Sequence, residues 1–343
     1  MVKGIKRGQR IREWALYQFM SPVRWLFEWW MAKHKTIILY CVMGNGIGDA
    51  LALSTILKAL NRKNGTKGIV FSMCPDLFLN NPMVVKNWGY HSMSSLKRSL
   101  LKSLLRALRG EAVVCFGGEV WTLGTQPLSS TTIDDRRMPG VAWINRLLPD
   151  GHIDVELVGA TPAIFFSDSE HEAFSRKFVH IKRPFGMVKA TIGLNRPKSS
   201  SLKNWSIDGF AQVVAECREI NWVQVGEIGE PVLAESINLL GQTSLREVLW
   251  LLSRSKVLLS VEGFLTHASA AFDVPTVVPF TGIHDFNGLL YPCTIPILPD
   301  PSPDCAPCWQ EACTRTGMPC RNNIHTDAVV SAVHSALGRE RVL

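Results

Sequence analysis

The chain has 343 residues, of which 46% are hydrophobic and 19% are charged. This balance excludes a disordered protein, and the length is sufficient for two domains of ordinary size. The net charge of +8 comes from residues 1–35 and 77–110, because each of these segments alone has a net charge of +6. The remainder is therefore net acidic, and the positive charge lies on the N-terminal half.

Residues 1–35 predict a basic amphipathic extension made of two short helices. No apolar run reaches the roughly 18 uncharged residues that a membrane-spanning helix needs, and the segment lacks the pattern of a signal peptide. Trp25 and Trp29 lie close in sequence to Lys and Arg residues, which is typical of a helix at a membrane surface. We therefore expect contact with an anionic membrane. A helix packed on its own domain is the alternative.

The first domain begins with an apolar run at 37–43, which predicts a buried strand. Gly44, Gly46 and Gly48 follow it, and apolar residues at helical spacing then continue to Leu60. A glycine turn that leads into a helix lets a ligand approach unpaired backbone N–H groups. Asp49 lies in the first turn of this helix and is a candidate general base. The alternative role for Asp49 is a favourable interaction with the helix dipole.

The next segments continue the alternation of strands and helices. The sequence predicts strands at 68–73, 111–116 and 163–166, an amphipathic basic helix at 95–109, and a helix from Asp168 to about Val179. The glycine-rich loop after the second of these strands lies where ligands bind in parallel sheets.

A second alternation follows a predicted linker at 182–189. Strands are expected at 192–195, 222–225, 256–261 and 276–280, and helices at 206–220, 245–253 and 268–272, with Glu262 to His267 forming a loop. Two such arrays predict two α/β domains with a cleft between them, at 36–181 and 182–343.

Three separated motifs resemble one family, the heptosyltransferase-type glycosyltransferases of family 9. GNGIGDALALSTILKAL at 44–60 is similar to the N-terminal glycine and aspartate segment of the family. KNWSIDGF at 203–210 is similar to its K-x-W segment, and SVEGFLTHASAAFDVPTVVPFTG at 260–282 is similar to its donor-side segment. The resemblance implies two facing Rossmann-like domains, the B-type glycosyltransferase fold, with an N-terminal acceptor domain and a C-terminal nucleotide-sugar domain.

The same resemblance implies roles for individual residues. Asp49 would remove a proton from the acceptor hydroxyl, and the glycine loop would lie on the acceptor side. Lys203 would balance the charge on the leaving diphosphate, and Glu262 would contact the donor sugar or ribose. The diphosphate would be held by the loop at Gly263, Phe264, Leu265, Thr266 and His267. This transfer requires no metal cofactor. The ordinary alternatives are a surface lysine, a helix-start acid and a loop histidine.

Nine cysteines without an export signal indicate a reducing compartment. Four of them, Cys305, Cys308, Cys313 and Cys320, have the spacing C-x2-C-x4-C-x6-C. Four thiolates in one loop are able to hold Zn²⁺ or iron, and a reduced loop without metal is the alternative. The family resemblance includes a four-cysteine tail, and a related branch that glycosylates autotransporter proteins has an iron-binding cysteine finger.

The expected function is an inverting glycosyltransferase in the cytoplasm, peripheral to the inner membrane. Its expected donor is ADP-heptose and its expected acceptor is a lipopolysaccharide-type glycolipid. Transfer of the same sugar to protein hydroxyls and a non-catalytic nucleotide-binding protein are the alternatives. The basic charge alone would also allow a nucleic-acid binder, but the basic helix at 95–109 has no interleaved aromatic residues, so no nucleic-acid partner is expected.

Overall fold

A computed structural model describes residues 26, 29–30, 33–41, 47–98, 100–101, 113–116, 161–194, 198–282, 291–308, 310 and 312–339. It divides the chain into two compact units. The described residues up to 116 belong to the first unit, and those from 161 onward belong to the second. Within these ranges no helix is long and apolar enough to cross a membrane.

The first unit contains a four-stranded parallel sheet in the order β3-β2-β1-β4. Its strands are β1 Thr36–Cys41, β2 Lys67–Ser72, β3 Val84–Gly89 and β4 Val113–Phe116. Helix α1, Ile47–Asn64, connects β1 to β2 and buries Leu51, Leu57 and Leu60. The sequence predicted β1, α1, β2 and β4 but missed β3, because an edge strand with one exposed face lacks a continuous apolar run.

The predicted basic helix is helical over 95–98 and 100–101, and the rest of it lies outside the described residues. Leu101 is buried, whereas Leu96 and Leu100 are 68% and 61% exposed. Leu101 therefore packs inward, whereas Leu96 and Leu100 form an exposed apolar surface on the described part of this helix.

The second unit contains a six-stranded parallel sheet in the order β10-β9-β8-β5-β6-β7. The strands are β5 Phe185–Lys189, β6 Asn221–Gln224, β7 Ser236–Asn238, β8 Leu258–Ser260, β9 Thr276–Pro279 and β10 Thr294–Ile297. The helices are α2 Asp168–Lys177, α3 Ile207–Glu216, α4 Leu245–Arg254, α5 Phe264–Ala271, α6 Pro319–Asn322 and α7 Thr326–Leu337.

The main core of the second unit lies between this sheet and helices α3 and α7. Val188, Val213, Trp222 and Val333 are each at most 2% exposed and belong to one cluster. Fully burying a side chain such as valine stabilises the folded state by about 1.5–3 kcal/mol. Helix α7 was not predicted, yet Val329 and Val333 on its buried face complete this core.

The predicted linker at 182–189 was wrong for its second half, which forms strand β5 in the middle of the sheet. The predicted strand at 192–195 was also wrong over its described part, because residues 191–194 form bends and no strand. Pro184 and Gly186 gave the segment the composition of a linker. Gly186 is instead required by packing, since a Cβ atom there would lie 2.6 Å from the Cδ1 atom of Ile220.

Two further boundaries differ from the prediction. Residues 163–166 form no strand, and the carbonyl of Phe165 instead accepts a hydrogen bond from Arg246. The same guanidinium pairs with Glu170 at 2.8 Å, so α2 packs against α4 within the second unit. The predicted loop from Glu262 to His267 is mostly helical, because α5 begins at Phe264.

Candidate functional site

The carboxyl ends of the parallel strands of the second unit gather several charged side chains. Strand β5 ends at Lys189, which is in register with Ser260 at the end of β8. Glu262 follows β8 by two residues, and the turn that contains Lys203 follows β5. Ligands of open parallel sheets bind at this edge. The described part of the second unit therefore has its candidate site at the ends of β5 and β8.

Lys203 and Glu262, which the sequence predicted as site residues, form an ion pair. The Lys203 Nζ atom lies 2.8 Å from the carboxylate of Glu262. The two side chains are 17% and 9% exposed, so the pair is largely shielded from water. Shielding strengthens the attraction between the two charges. A ligand anion that binds here would contact the Lys203 ammonium, whose position is already fixed by Glu262.

The Lys203 turn is anchored by its neighbours. Asn204 accepts a hydrogen bond from the N–H group of Ile192 at 2.8 Å, and the Thr281 hydroxyl donates to the Leu202 carbonyl at 2.8 Å. Trp205 is 2% exposed, and a Cβ atom at Gly209 would lie 2.6 Å from its ring. The motif residues around Lys203 therefore act as packing and hydrogen-bonding supports for the turn.

Helix α5 begins directly after Glu262. Gly263 is the residue before its first turn, and a Cβ atom there would lie 3.0 Å from the Cδ1 atom of Ile192. The first-turn N–H groups of a helix have no acceptor inside the helix, and its N-terminus favours anions. Phe264 and Leu265 supply such groups here, while the N–H group of Thr266 is bonded to the Gly263 carbonyl at 3.1 Å. The predicted diphosphate-holding segment is thus a helix N-terminus.

His267 lies within the first two turns of α5 and makes a hydrogen bond through Nδ1 with the hydroxyl of Tyr291 at 2.9 Å. Burial lowers the pKa of His267 to about 4; the Glu262 carboxylate opposes this shift, and the Lys203 ammonium adds to it. His267 is therefore an uncharged imidazole at neutral pH, close to the Lys203–Glu262 pair.

Sequence reasoning missed a second ion pair at the same edge of the sheet. The Nζ atom of Lys189 lies 2.7 Å from Glu230, and Glu230 also accepts a hydrogen bond from the N–H group of Glu227 at 2.8 Å. The hydroxyl of Thr191, two residues after Lys189, is buried and has no partner among the described residues. Lys189 could have been predicted as a site residue, because it is a charged residue at the end of an otherwise apolar strand. No feature of the sequence indicates Glu230 as its partner.

The acceptor-side candidates lie in the first unit. The backbone of Asp49 is in the first turn of α1, as predicted, whereas Gly48, which was predicted to lie in the turn before the helix, is also inside this first turn because α1 begins at Ile47. Gly44, Gly46 and the side chain of Asp49 lie outside the described part of the chain. The assignment of Asp49 as a general base therefore stays a prediction.

The four cysteines of the predicted metal cluster are free thiols, and each is partly buried. Burial raises the pKa of Cys320, and the neighbouring Cys313, Cys308 and Cys305 raise it further, because negative charges in proximity repel one another. The thiols of Cys305, Cys308 and Cys313 are therefore near enough to Cys320 for their charges to act on it, although the described residues whose donor atoms lie within 4.8 Å of one another do not include these cysteines. Soft thiolate donors in this number suit Zn²⁺ or iron.

A different group of possible metal donors lies where α3 and α7 meet. Single donor atoms of Cys217, Glu219 and His334 are within 4.8 Å of one another. His334 already pairs with Glu219 at 3.2 Å. Burial raises the pKa of the Cys217 thiol to about 12, so this sulfur behaves as a core residue.

The two sheets and their connecting helices have the B-type glycosyltransferase fold, which the chain shares with the solved structures described below. No protein-family model matches the chain, and no curated protein sequence matches it either. The fold predicted from the sequence resemblance is confirmed.

Among solved structures, the chain is similar to the ADP-heptose lipopolysaccharide heptosyltransferase II of Escherichia coli. The identity is 16%, the match covers 88% of this chain and 98% of that chain, and the TM-score is 0.59. A glycosyl transferase family 9 protein from Veillonella parvula has 16% identity over 89% and 97% of the two chains, with a TM-score of 0.58.

A third similar structure is the dodecameric iron-containing heptosyltransferase TibC in complex with ADP-D-beta-D-heptose. It has 13% identity over 88% of this chain and 75% of that chain, with a TM-score of 0.55. Identities of this size establish the shared fold, and the chemistry has to be argued from the residues.

Proposed function

We propose that this protein is an inverting glycosyltransferase that transfers heptose from ADP-heptose to a lipopolysaccharide-type glycolipid. The observation that carries the proposal is the grouping of the Lys203–Glu262 pair, the N-terminus of α5 and neutral His267 at the strand ends. The Lys203 ammonium, the first-turn N–H groups of α5 and the neutral imidazole of His267 together suit a diphosphate. The similar structures include proteins described as heptosyltransferases and one in complex with ADP-heptose.

In the proposed reaction an acceptor hydroxyl attacks the anomeric carbon from the face opposite the diphosphate. The new C–O bond forms as the bond between the anomeric carbon and the phosphate oxygen breaks, which inverts the configuration. Asp49 takes the hydroxyl proton, and ADP leaves with the electron pair of the broken bond. Lys203 and the first-turn N–H groups of α5 stabilise the negative charge that develops on ADP. The proposed chemistry therefore requires no metal ion.

A ligand screen by thermal denaturation tests the donor assignment. A ligand at about 100 times its Kd adds about 2.7 kcal/mol to the free energy of unfolding if it binds only the folded state. ADP and ADP-linked sugars are expected to raise Tm more than UDP or GDP and their sugars, and Lys203→Ala should lose this stabilisation, because Lys203 is proposed to contact the diphosphate. If NAD(H) raised Tm and no sugar nucleotide did, an oxidoreductase would replace the transferase.

A protein hydroxyl is the second candidate acceptor. The observation that favours it is the four-cysteine loop, because the related branch that glycosylates autotransporter proteins has an iron-binding cysteine finger. Incubation with labelled ADP-heptose and either a lipopolysaccharide precursor or a serine-rich polypeptide separates the two acceptors. Label in the polypeptide alone would overturn the glycolipid assignment.

We further propose that the four cysteines hold one Zn²⁺ or iron ion as a structural group. Purified protein is then expected to contain about one equivalent of metal by elemental analysis, since four thiolates complete a tetrahedral site. Cys308→Ser combined with Cys313→Ser should lose the metal and lower Tm. Cys74→Ser, which removes another partly buried thiol, should do neither. Metal content unchanged by the double substitution would remove the cluster from the proposal.

The protein is also proposed to lie at the cytoplasmic face of the inner membrane. Leu26, Trp29 and Trp30 are exposed, and the Lys33 ammonium lies 4.8 Å from the ring centre of Trp29. Exposed Leu96 and Leu100 belong to the second basic segment. Exposed apolar side chains beside cationic ones suit anionic lipid headgroups.

Deletion of residues 1–34 is expected to weaken co-sedimentation with anionic vesicles at low salt, because it removes the Trp residues and seven of the basic side chains. Neutral vesicles are the control and should bind both forms poorly. Equal co-sedimentation of the deleted and full-length proteins with anionic vesicles would show that residues 1–34 do not bind membranes.

A further inference from the structure

Tyr291 is the one described residue that contacts the His267 ring through a hydrogen bond. Tyr291 lies three residues before the first residue of β10, and its hydroxyl lies 2.9 Å from Nδ1 of His267. The phenol ring is 5% exposed and packs with Ala270 and Cys293. The two rings meet edge to face, with centroids 5.7 Å apart and an interplanar angle of 84°. The contact is therefore a packed and buried one.

The position of the proton in this hydrogen bond follows from the number of available partners. Burial raises the pKa of Tyr291, so the hydroxyl keeps its proton at neutral pH. No other hydrogen-bond partner for this hydroxyl is found among the described residues. If Nδ1 carried a proton and donated it, the hydroxyl proton would remain buried without an acceptor, which is unfavourable. Donation from the hydroxyl to an unprotonated Nδ1 satisfies both atoms.

An unprotonated Nδ1 in a neutral ring requires the proton to be on Nε2. The Nε2 atom has no hydrogen-bond partner within the described ranges. His267 is also close enough to Lys203 and Glu262 for their charges to act on it. The free Nε2–H group is thus a donor located beside the charged residues of the site.

We propose that Tyr291 is a positioning residue that holds His267 in the Nε2–H tautomer, so that His267 donates a neutral hydrogen bond to a phosphate oxygen of the bound nucleotide sugar. This inference rests on the proposed function only for the identity of the ligand. A neutral donor offers a hydrogen bond without adding a second positive charge next to Lys203. The diphosphate is consequently able to leave after transfer without breaking another charge pair.

Without the Tyr291 hydroxyl, Nδ1 would be a buried acceptor with no donor. No hydrogen bond at Nδ1 would then favour the Nε2–H tautomer, and the fraction of rings with Nε2–H would fall. One hydrogen bond contributes about 0.5–1.5 kcal/mol, which corresponds to an affinity change of about two- to tenfold. Tyr291→Phe should therefore weaken donor binding by this factor while the protein stays folded.

The test is the tautomer of His267 in the ligand-free protein, measured by ¹⁵N NMR through the couplings of each ring nitrogen to the ring carbon-bound protons. His267→Gln identifies the signals. Wild-type protein is expected to show protonated Nε2 and unprotonated Nδ1, and Tyr291→Phe should show a mixture of tautomers. Cys293→Ala is the matched control, because it disturbs the same packing cluster but keeps the hydroxyl, and it should retain the wild-type pattern.

A protonated Nδ1 in wild-type protein would overturn the inference, and so would an unchanged tautomer in Tyr291→Phe. The wild-type spectrum gives an answer even if the Phe variant fails to fold. A second measurement compares ADP affinity by calorimetry, where Tyr291→Phe is expected to lose two- to tenfold and Cys293→Ala nothing. Because the tautomer is measured without a ligand, absence of any ADP binding to wild-type protein would contradict the proposed function and leave the NMR result independent.

Discussion

Asp49→Asn is expected to reduce kcat for sugar transfer by about 10²–10⁴, because a general base contributes a factor of this size. Donor affinity should stay within about twofold of wild type, since the proposed base acts on the acceptor hydroxyl and does not contact the diphosphate. Steady-state transfer rates and calorimetric ADP affinity measure the two effects separately. A loss confined to kcat and kcat/KM in equal proportion would identify an interaction made only in the transition state.

The matched control for Asp49 is Asp168, which also lies in the first turn of a helix. A first-turn carboxylate contributes about 0.3–1 kcal/mol through the helix dipole. Asp49→Asn and Asp168→Asn should therefore lower the free energy of unfolding by similar small amounts, whereas transfer is lost in Asp49→Asn alone. Wild-type kcat in Asp49→Asn would leave the carboxylate with only its contribution to the helix.

The second large effect is expected at the Lys203–Glu262 pair, through a double-mutant cycle. Lys203→Met leaves the Glu262 carboxylate, 9% exposed, without its counter-charge. Removing one partner of a fully buried pair costs about 3–5 kcal/mol, and partial exposure of Lys203 reduces this cost. Transfer should fall by about 10²–10³ in kcat, because the developing charge on ADP loses its cation.

Addition of Glu262→Gln to Lys203→Met separates stability from function. The double variant should recover most of the lost free energy of unfolding, since a neutral amide replaces the carboxylate that Lys203→Met leaves without its ammonium, yet transfer should stay low. Lys177→Met is the matched control, because Lys177 is 46% exposed in its pair with Glu247 and such pairs contribute at most about 1 kcal/mol. Recovery of transfer in the double variant would show that Lys203 has a purely structural role.

Local signals in the sequence were sufficient for much of the fold. Ser206 and Ser244 accept hydrogen bonds from the first turns of α3 and α4, and helix periodicity after each of them placed the start of both helices correctly, although α3 ends at Glu216 and not at the predicted residue 220. Strand β5 was missed because Pro184 and Gly186 have the composition of a linker. The close packing of Gly186 against Ile220 is a tertiary contact that local sequence does not reveal.

The sequence likewise predicted some residues of the candidate site and missed others. Lys203, Glu262 and His267 were found because they belong to motifs whose order along the chain is specific, and the structure brings them together. The partners of other site residues were not predictable. Glu230 pairs with Lys189 across 41 positions, and Tyr291 lies 24 positions beyond His267. Nothing in the intervening sequence indicates these distances, because the order of strands in the sheet determines them.

Thr281 and Gly282 join the cysteine loop to the turn that ends in Lys203. The Thr281 hydroxyl holds the Leu202 carbonyl, and the next residue, Gly282, accepts a hydrogen bond from the Cys308 N–H group at 3.1 Å. A Cβ atom at Gly282 would lie 2.5 Å from the Cβ atom of Ala306, so the two backbones touch. An engineered variant that shortens or replaces the cysteine loop would therefore also remove support from Lys203, and a truncation intended to simplify the protein should keep residues 281–308 intact.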